Sequence, residues 1–229
     1  MRAIPQPRFW ALAITSLLVL GGALSKAHQT NTKESIRIGV FLDLSGQTAS
    51  FGKSTLDGIK LATDEINTAG GLLGRRVDLI VEDDRGVLAE IGNAATRLIQ
   101  TKKAHALVGE VASSLTISAA LVAQENKVPL VTPASSHPKV TTVGDYIFRA
   151  CFIDPLQGEA LAEFARRDLK TRRAALLTDA NSDYSKSLTI AFEKRFVELG
   201  GKVVVKKCTR REIGISWPNW RASDRSARM

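Results

Sequence analysis

Two serine pairs, Ser113-Ser114 and Ser135-Ser136, have the chemistry to hold a small anion. The first follows Leu107-Val108-Gly109-Glu110-Val111-Ala112 and precedes an apolar-periodic segment down to Ala123. That pattern predicts a buried strand, a tight loop and a helix capped by Ser113 or Ser114. Free N–H groups at the positive end of a helix dipole would meet hydroxyls there, a setting that suits a carboxylate. Plain helix capping accounts for the same serines, and the residues alone leave both readings open. Ser113 activated by His137 would be a third chemistry, but no Gly-x-Ser-x-Gly elbow accompanies it.

Other motifs carry less. Gly46-Gln47-Thr48-Ala49-Ser50-Phe51-Gly52-Lys53-Ser54 imitates a phosphate-binding loop, with one residue too many between its glycines. Asp83-Asp84 reads as a solvated strand end rather than a metal site. The histidines, His28, His105 and His137, are scattered, and no Cys/His cluster has metal-ligand spacing. Neither a metal nor a cofactor is expected. The two cysteines, Cys151 and Cys208, define no disulfide framework, and Cys151 is expected to be free and buried.

The elements that must position these residues alternate regularly. Strands are predicted at Ile36–Leu42, Val77–Val81, Ala104–Val108, Val128–Val131 and Tyr146–Arg149. Helices fall between them at Ser54–Ala69, Glu90–Thr101 and Leu115–Glu125. Such alternation makes a parallel sheet with helices on both faces. Ligands bind such sheets at the carboxyl ends of the strands. Three loops leave those ends: Ser45–Gly52, Val111–Ser114 and Thr132–Pro138. After Arg149 the pattern restarts, with helices at Leu156–Leu169 and Tyr184–Leu199 and strands at Ala174–Thr178 and Lys202–Val205. Two strands and two helices only begin a second lobe.

The formal charge of +9 is concentrated at the two ends. Residues 1–27 hold three basic residues and no acid; residues 206–229 hold seven basic residues against two acids. The body between them is nearly neutral, so nucleic acid is not an expected partner. Arg2 and Arg8, the apolar run from Phe9 to Leu20 and the small residues up to Ser25-Lys26-Ala27 read as a cleavable signal peptide. The run of about 16 apolar or small residues is short of the ~20 that span a bilayer. Export to the periplasm, with a mature start at His28, is the expectation.

Taken jointly, residues 35–206 resemble the substrate-binding proteins of ABC importers for branched-chain amino acids. The matching stretches are Ile38-Gly39-Val40 through Leu44-Ser45-Gly46, Phe51-Gly52, Asp57-Gly58, Glu65-Ile66-Asn67, Ala69-Gly70-Gly71 to Gly74-Arg75, and Glu82-Asp83-Asp84. Val108-Gly109 with Ser113-Ser114, Pro129-Leu130-Val131-Thr132-Pro133-Ala134-Ser135-Ser136, and Phe148-Arg149 with Gln157-Gly158 complete the set. The resemblance implies a type I periplasmic binding protein: α/β, two doubly wound parallel-sheet lobes hinged around a cleft, the second lobe here incomplete. It implies that Ser113 binds an amino acid's α-carboxylate through its hydroxyl and N–H, assisted by Ser136. The Ala134 carbonyl would accept from the α-ammonium, the Phe51 ring would cover the ligand, and Tyr184 would contribute from the second lobe. Ser114 and Ser135 stand beside them as further ligand-binding candidates. The implied partners are a small amino acid and the permease subunits of the inner membrane, the binding protein being monomeric and not an enzyme. An amide- or urea-type sensory binding protein of the same fold, and a non-functional fragment, are the alternatives.

Two departures accompany the resemblance. The cysteines that form a disulfide in some relatives are replaced here by Gly86 and Ala112. Relatives are also longer, and the acidic residue that meets the ammonium and the return crossings belong to the part without a counterpart here. The expected organisation is therefore residues 1–27 signal peptide, 28–150 ligand-binding lobe, 151–206 partial second lobe, and 207–229 a basic tail foreign to the family. Residues 209–220 can be back-translated so that a shifted frame reads Ala-Lys-Gly-Asp-Arg-Asp-Phe-Leu-Ala-Gln-Leu, which is family-like. Out-of-frame translation from about residue 208 is thus expected.

Overall fold

A computed structural model describes residues 34–209 of the chain; the expected signal peptide and all but the start of the expected tail lie outside them. The first sheet contains β1 (Ile36–Leu42), β2 (Val77–Asp83), β3 (Ala106–Val108), β4 (Leu130–Thr132) and β5 (Ile147–Arg149) in the order β2-β1-β3-β4-β5. All its pairings are parallel, with Ile36 opposite Val77, Ile38 opposite Ala106, Leu107 opposite Leu130, and Leu130 opposite Ile147. Strand β1 is nearly all apolar because the sheet is covered on both faces. Phe41 turns to one side, against Ile91, Leu98, Leu107 and Ala119; Val40 and Leu42 turn to the other, against Leu56.

The covering helices are α1 (Ala49–Thr68), α2 (Leu88–Thr96, continued by a π turn at Arg97–Thr101) and α3 (Ser113–Glu125). Helix α1 begins five residues earlier than its apolar periodicity indicated, so Phe51 and Gly52 are helical rather than part of a loop. The order reverses at β1, and the loops after β1 and β3 flank that switch point, where parallel sheets open a crevice.

The second sheet is β6 (Arg173–Asp179) paired in parallel with β7 (Lys202–Thr209). Its helices are α4 (Asp154–Glu163, continued by a π turn at Phe164–Asp168) and α5 (Asp183–Glu198). Strand β7 runs four residues past the expected end at Val205, pairing through Thr209 opposite Asp179. It therefore carries Lys207 and Cys208, the first residues of the expected tail. Leu177 is 68% exposed on this small sheet. Phe196 anchors the helices: it is fully buried, stacks on Phe192 at 5.3 Å and lies under the Arg166 guanidinium.

Helices α4 and α5 meet at glycine distance. A Cβ on Gly158 would come within 2.6 Å of the Ala191 Cβ and 2.7 Å of the Phe192 nitrogen. Gly158→Ala is expected to cost about 2 kcal/mol by forcing the pair apart and to lower the melting temperature by about 5 °C. An unchanged melting curve would show that the two helices can slide freely.

Candidate functional site

Two buried carboxylates and one buried backbone carbonyl bind the three strand-end loops to one another. Asp43 ends β1 and folds its own loop back: its side chain accepts from the N–H groups of Gly46 and Thr48 and from the Thr48 hydroxyl. These N–H groups point inward at Asp43, not outward at a phosphate, which is the physical reason the Gly46–Ser54 stretch is no nucleotide loop. Gly52 rests on the same corner, where a Cβ would lie 1.9 Å from the Asp43 carbonyl oxygen.

Glu110 ties the β1 loop to the β3 loop. It is fully buried, and its carboxylate accepts from Asp43 N–H at 3.0 Å and Ala112 N–H at 2.6 Å. Its carbonyl oxygen accepts from the hydroxyls of Thr116, Thr132 and Ser135. Burial pushes the Glu110 carboxyl above its ordinary range, against the N–H bonds that favour its charge. Arg149, at the end of β5, fixes the third loop by donating to the carbonyls of Ser135, His137 and Pro138.

Asp84 is 1% exposed, contrary to the solvated strand end expected from its sequence position. It accepts from Gly86 N–H, and burial raises its carboxyl to about 7, with the charges of Glu110, Asp43 and Asp83 adding to the rise. Asp83 differs. Burial raises it too, but bonds from Ser45 and the N–H groups of Leu44 and Arg85 outweigh that and hold it below the usual range. Among the described residues no three acidic, histidine or cysteine side chains gather to hold a metal ion.

Beyond these loops lies a cleft of about 860 Å³ between the two sheets' ends. It brings together Phe51, Ser113, Ser114, Ala134, Ser136 and Tyr184. Helix α3 enters it with Ala112 as its N-cap and no side-chain cap. The expectation that Ser113 or Ser114 caps this helix is thus corrected: both are inside its first turn. Helix geometry leaves their N–H groups without an intrahelical acceptor. Ser113 Oγ accepts from His137 N–H at 3.3 Å. The His137 ring does not serve Ser113, because its Nδ1 accepts from Lys139 N–H at 3.0 Å. The base that Ser–His hydrolysis requires is therefore directed elsewhere.

Ser135 is not a cleft residue. It is fully buried behind the wall, its hydroxyl joined to Thr116 and to the Glu110 carbonyl. Phe51, 67% exposed, stands on the first turn of α1 at the cleft's mouth. Tyr184 stands on the first turn of α5 and donates to Gln157 Oε1 at 3.3 Å. Sequence reasoning missed Arg85, Phe152 and Gln157, which also line the cleft. It missed Glu110 as well; a lone acid between Gly109 and Val111 in an otherwise apolar and small run was the available signal. Cys151 is free as expected, but partly rather than fully buried, and Cys208 is free and exposed.

A family profile described as periplasmic binding protein matches residues 35–208. The chain belongs to the periplasmic binding protein family. Among curated members it is 33% identical over 196 residues to an amino acid binding protein of Pseudomonas aeruginosa, covering 85% of this chain and 50% of that one. A Leu/Ile/Val-binding protein of Rhizobium johnstonii is 34% identical over 167 residues, covering 72% and 45%. Among solved structures, the leucine binding protein LivK of Thermotoga maritima superposes with a TM-score of 0.72 at 40% identity, covering 79% of this chain and 50% of that one. The branched-chain amino acid transporter substrate binding protein LivJ of Streptococcus pneumoniae, in complex with isoleucine, gives 0.73 at 30% identity, covering 77% and 50%. The chain spans about half the length of these periplasmic binding protein relatives. The described half has their α/β fold with parallel sheets, and its relatives are solute-binding proteins. No described helix is long and apolar enough to cross a membrane.

Proposed function

We propose that this chain is the substrate-binding component of an ABC importer for a branched-chain or related amino acid, working in the periplasm and delivering its ligand to the permease without covalent chemistry. The observation that carries the reading is the first turn of α3. A 13-residue helix opens onto the cleft with an alanine N-cap and no side-chain cap. A ligand carboxylate would complete it, taking the N–H groups of Ser113 and Ser114 and the Ser113 hydroxyl. Ser136 faces the same space from the β4 loop and supplies a second hydroxyl. The Ala134 carbonyl is the acceptor offered to the α-ammonium. Phe51 and Tyr184 close the cleft from either side, and their rings suit an apolar ligand side chain. The leucine binding protein of Thermotoga maritima and the isoleucine complex of Streptococcus pneumoniae LivJ agree with this chemistry.

Amide NMR spectra of the chain titrated with leucine are expected to show saturable shifts at Ser113, Ser114 and Ser136. Leucinamide, which lacks the carboxylate, should leave these amides unmoved, and Ser113→Ala should reduce the leucine affinity by about tenfold, as loss of a charge-assisted hydrogen bond implies. Equal shifts with leucine and leucinamide would overturn the carboxylate assignment.

A further inference from the structure

Ser114 makes a contact that ligand binding does not require. Its hydroxyl accepts from Asp183 N–H at 3.2 Å and lies 3.2 Å from Asp183 Oδ2, to which it donates. The two residues are 69 positions apart and belong to different sheets' layers. Asp183 opens α5, so its N–H is one of the donors that helix geometry leaves without an intrahelical partner. The N-cap of α5, Ser182, is committed elsewhere: its hydroxyl accepts from Ser185 N–H at 3.2 Å. The acceptor for the first N–H of α5 therefore comes from the first turn of α3.

The charges agree with this arrangement. Two helix N-termini that converge repel through their partial positive ends, and the Asp183 carboxylate lies between them. Its other oxygen, Oδ1, takes the Lys186 ammonium at 2.8 Å. The bond from Lys186 is the main reason the Asp183 carboxyl lies below its usual range, with Ser114 and the nearby His137 contributing.

We propose that Ser114 and Asp183 form a ligand-independent latch, in which a hydroxyl of the first lobe caps the first helix turn of the second across the cleft. They are positioning residues. The latch sets the first turn of α5, with Tyr184, against the first turn of α3, with Ser113. Removing the hydroxyl frees α5 to fray and the two walls to part.

Hydrogen exchange followed by mass spectrometry, on the full chain with no ligand present, tests the latch apart from any ligand reading. Ser114→Ala is expected to speed exchange in peptides covering residues 183–187 about five- to tenfold, the usual strength of a lost cap. Exchange within residues 115–125 should stay as in the parent, and Ser114→Thr should restore the slow rate. Unchanged exchange at 183–187 in Ser114→Ala would overturn the latch. If that variant loses protection throughout, Asp183→Ala decides, since it keeps the N–H and removes the carboxylate oxygen that takes the Ser114 hydroxyl. Faster exchange confined to the start of α5 then supports the latch, and parent-like exchange there refutes it.

Discussion

Replacing Glu110 by alanine is expected to lower the melting temperature by on the order of 10 °C and to abolish leucine-dependent shifts at Ser113. Glu110 is fully buried, and its carboxylate is the acceptor for Asp43 N–H and Ala112 N–H. Each N–H left unmet in a buried place costs about 1–3 kcal/mol. Some of that is offset because a desolvated carboxylate, itself unfavourable, is removed. A net loss of about 3 kcal/mol remains, and each kcal/mol shifts the midpoint by about 2–4 °C at this chain length. Function suffers through the same bonds. Ala112 is the N-cap of α3 and Asp43 organises the loop that leads into α1 and Phe51, so the β1 and β3 loops that line the cleft loosen together. Glu110→Gln keeps one acceptor oxygen and turns an amide N–H toward the other donor, so its loss should be intermediate. A midpoint within about 2 °C of the parent for Glu110→Ala would show that the two loops hold their places without this carboxylate.

Asp84→Asn is expected to act in the opposite direction and only at neutral and alkaline pH. The Asp84 carboxyl has an ordinary value of 3.8 and is raised to about 7 in the folded chain, chiefly by burial. Below about pH 4 both folded and unfolded chains hold the proton, and the group carries no penalty. Between about 4 and 7 the unfolded chain releases its proton while the folded chain keeps it, so stability falls as pH rises. Above 7 both states are ionised and the full penalty stands, about 4 kcal/mol at 1.36 kcal/mol per unit. Asparagine has no proton to lose. Its side-chain oxygen still accepts from Gly86 N–H, and its amide offers donors among the carboxylates of Asp43 and Glu110 that raise Asp84. Melting curves at pH 4, 6 and 8 should show variant and parent together at the first and separated by up to about 10 °C at the last. A gap that stays constant across this range would remove Asp84 as the titrating group. Asp83 and Asp183, both held below the ordinary range, contribute stability lost as pH falls, and they do so equally in parent and variant.

Much of this protein is legible in its amino-acid sequence. The five first-sheet strands follow from short apolar runs, and their parallel pairing follows from the helices placed between them. A strand buried on both faces has to be apolar along its length, and a chain that covers both faces has to cross over between strands. The positions of the three strand-end loops follow from the same reasoning, and they bring Ser113, Ala134 and Ser136 into one place.

The tertiary structure decides which polar groups face the cleft and which hold it up. Ser135 and Ser136 are adjacent in sequence, yet the hydroxyl of one is spent on a carbonyl behind the wall while the other residue lines the cleft. Asp83 and Asp84 are adjacent too, yet one is stabilised as a carboxylate and the other holds its proton to neutral pH. Side-chain direction alternates from residue to residue along extended backbone, and composition does not reveal which neighbour points to water. Helix capping shows the same limit. Local pattern marks Ser113 or Ser114 as a cap for its own helix, because local hydroxyls usually serve local N–H groups. The fold gives Ser114 a donor 69 residues away, since the partner of a hydroxyl is set by which helix end arrives beside it, and that is fixed only when the two sheets are brought together.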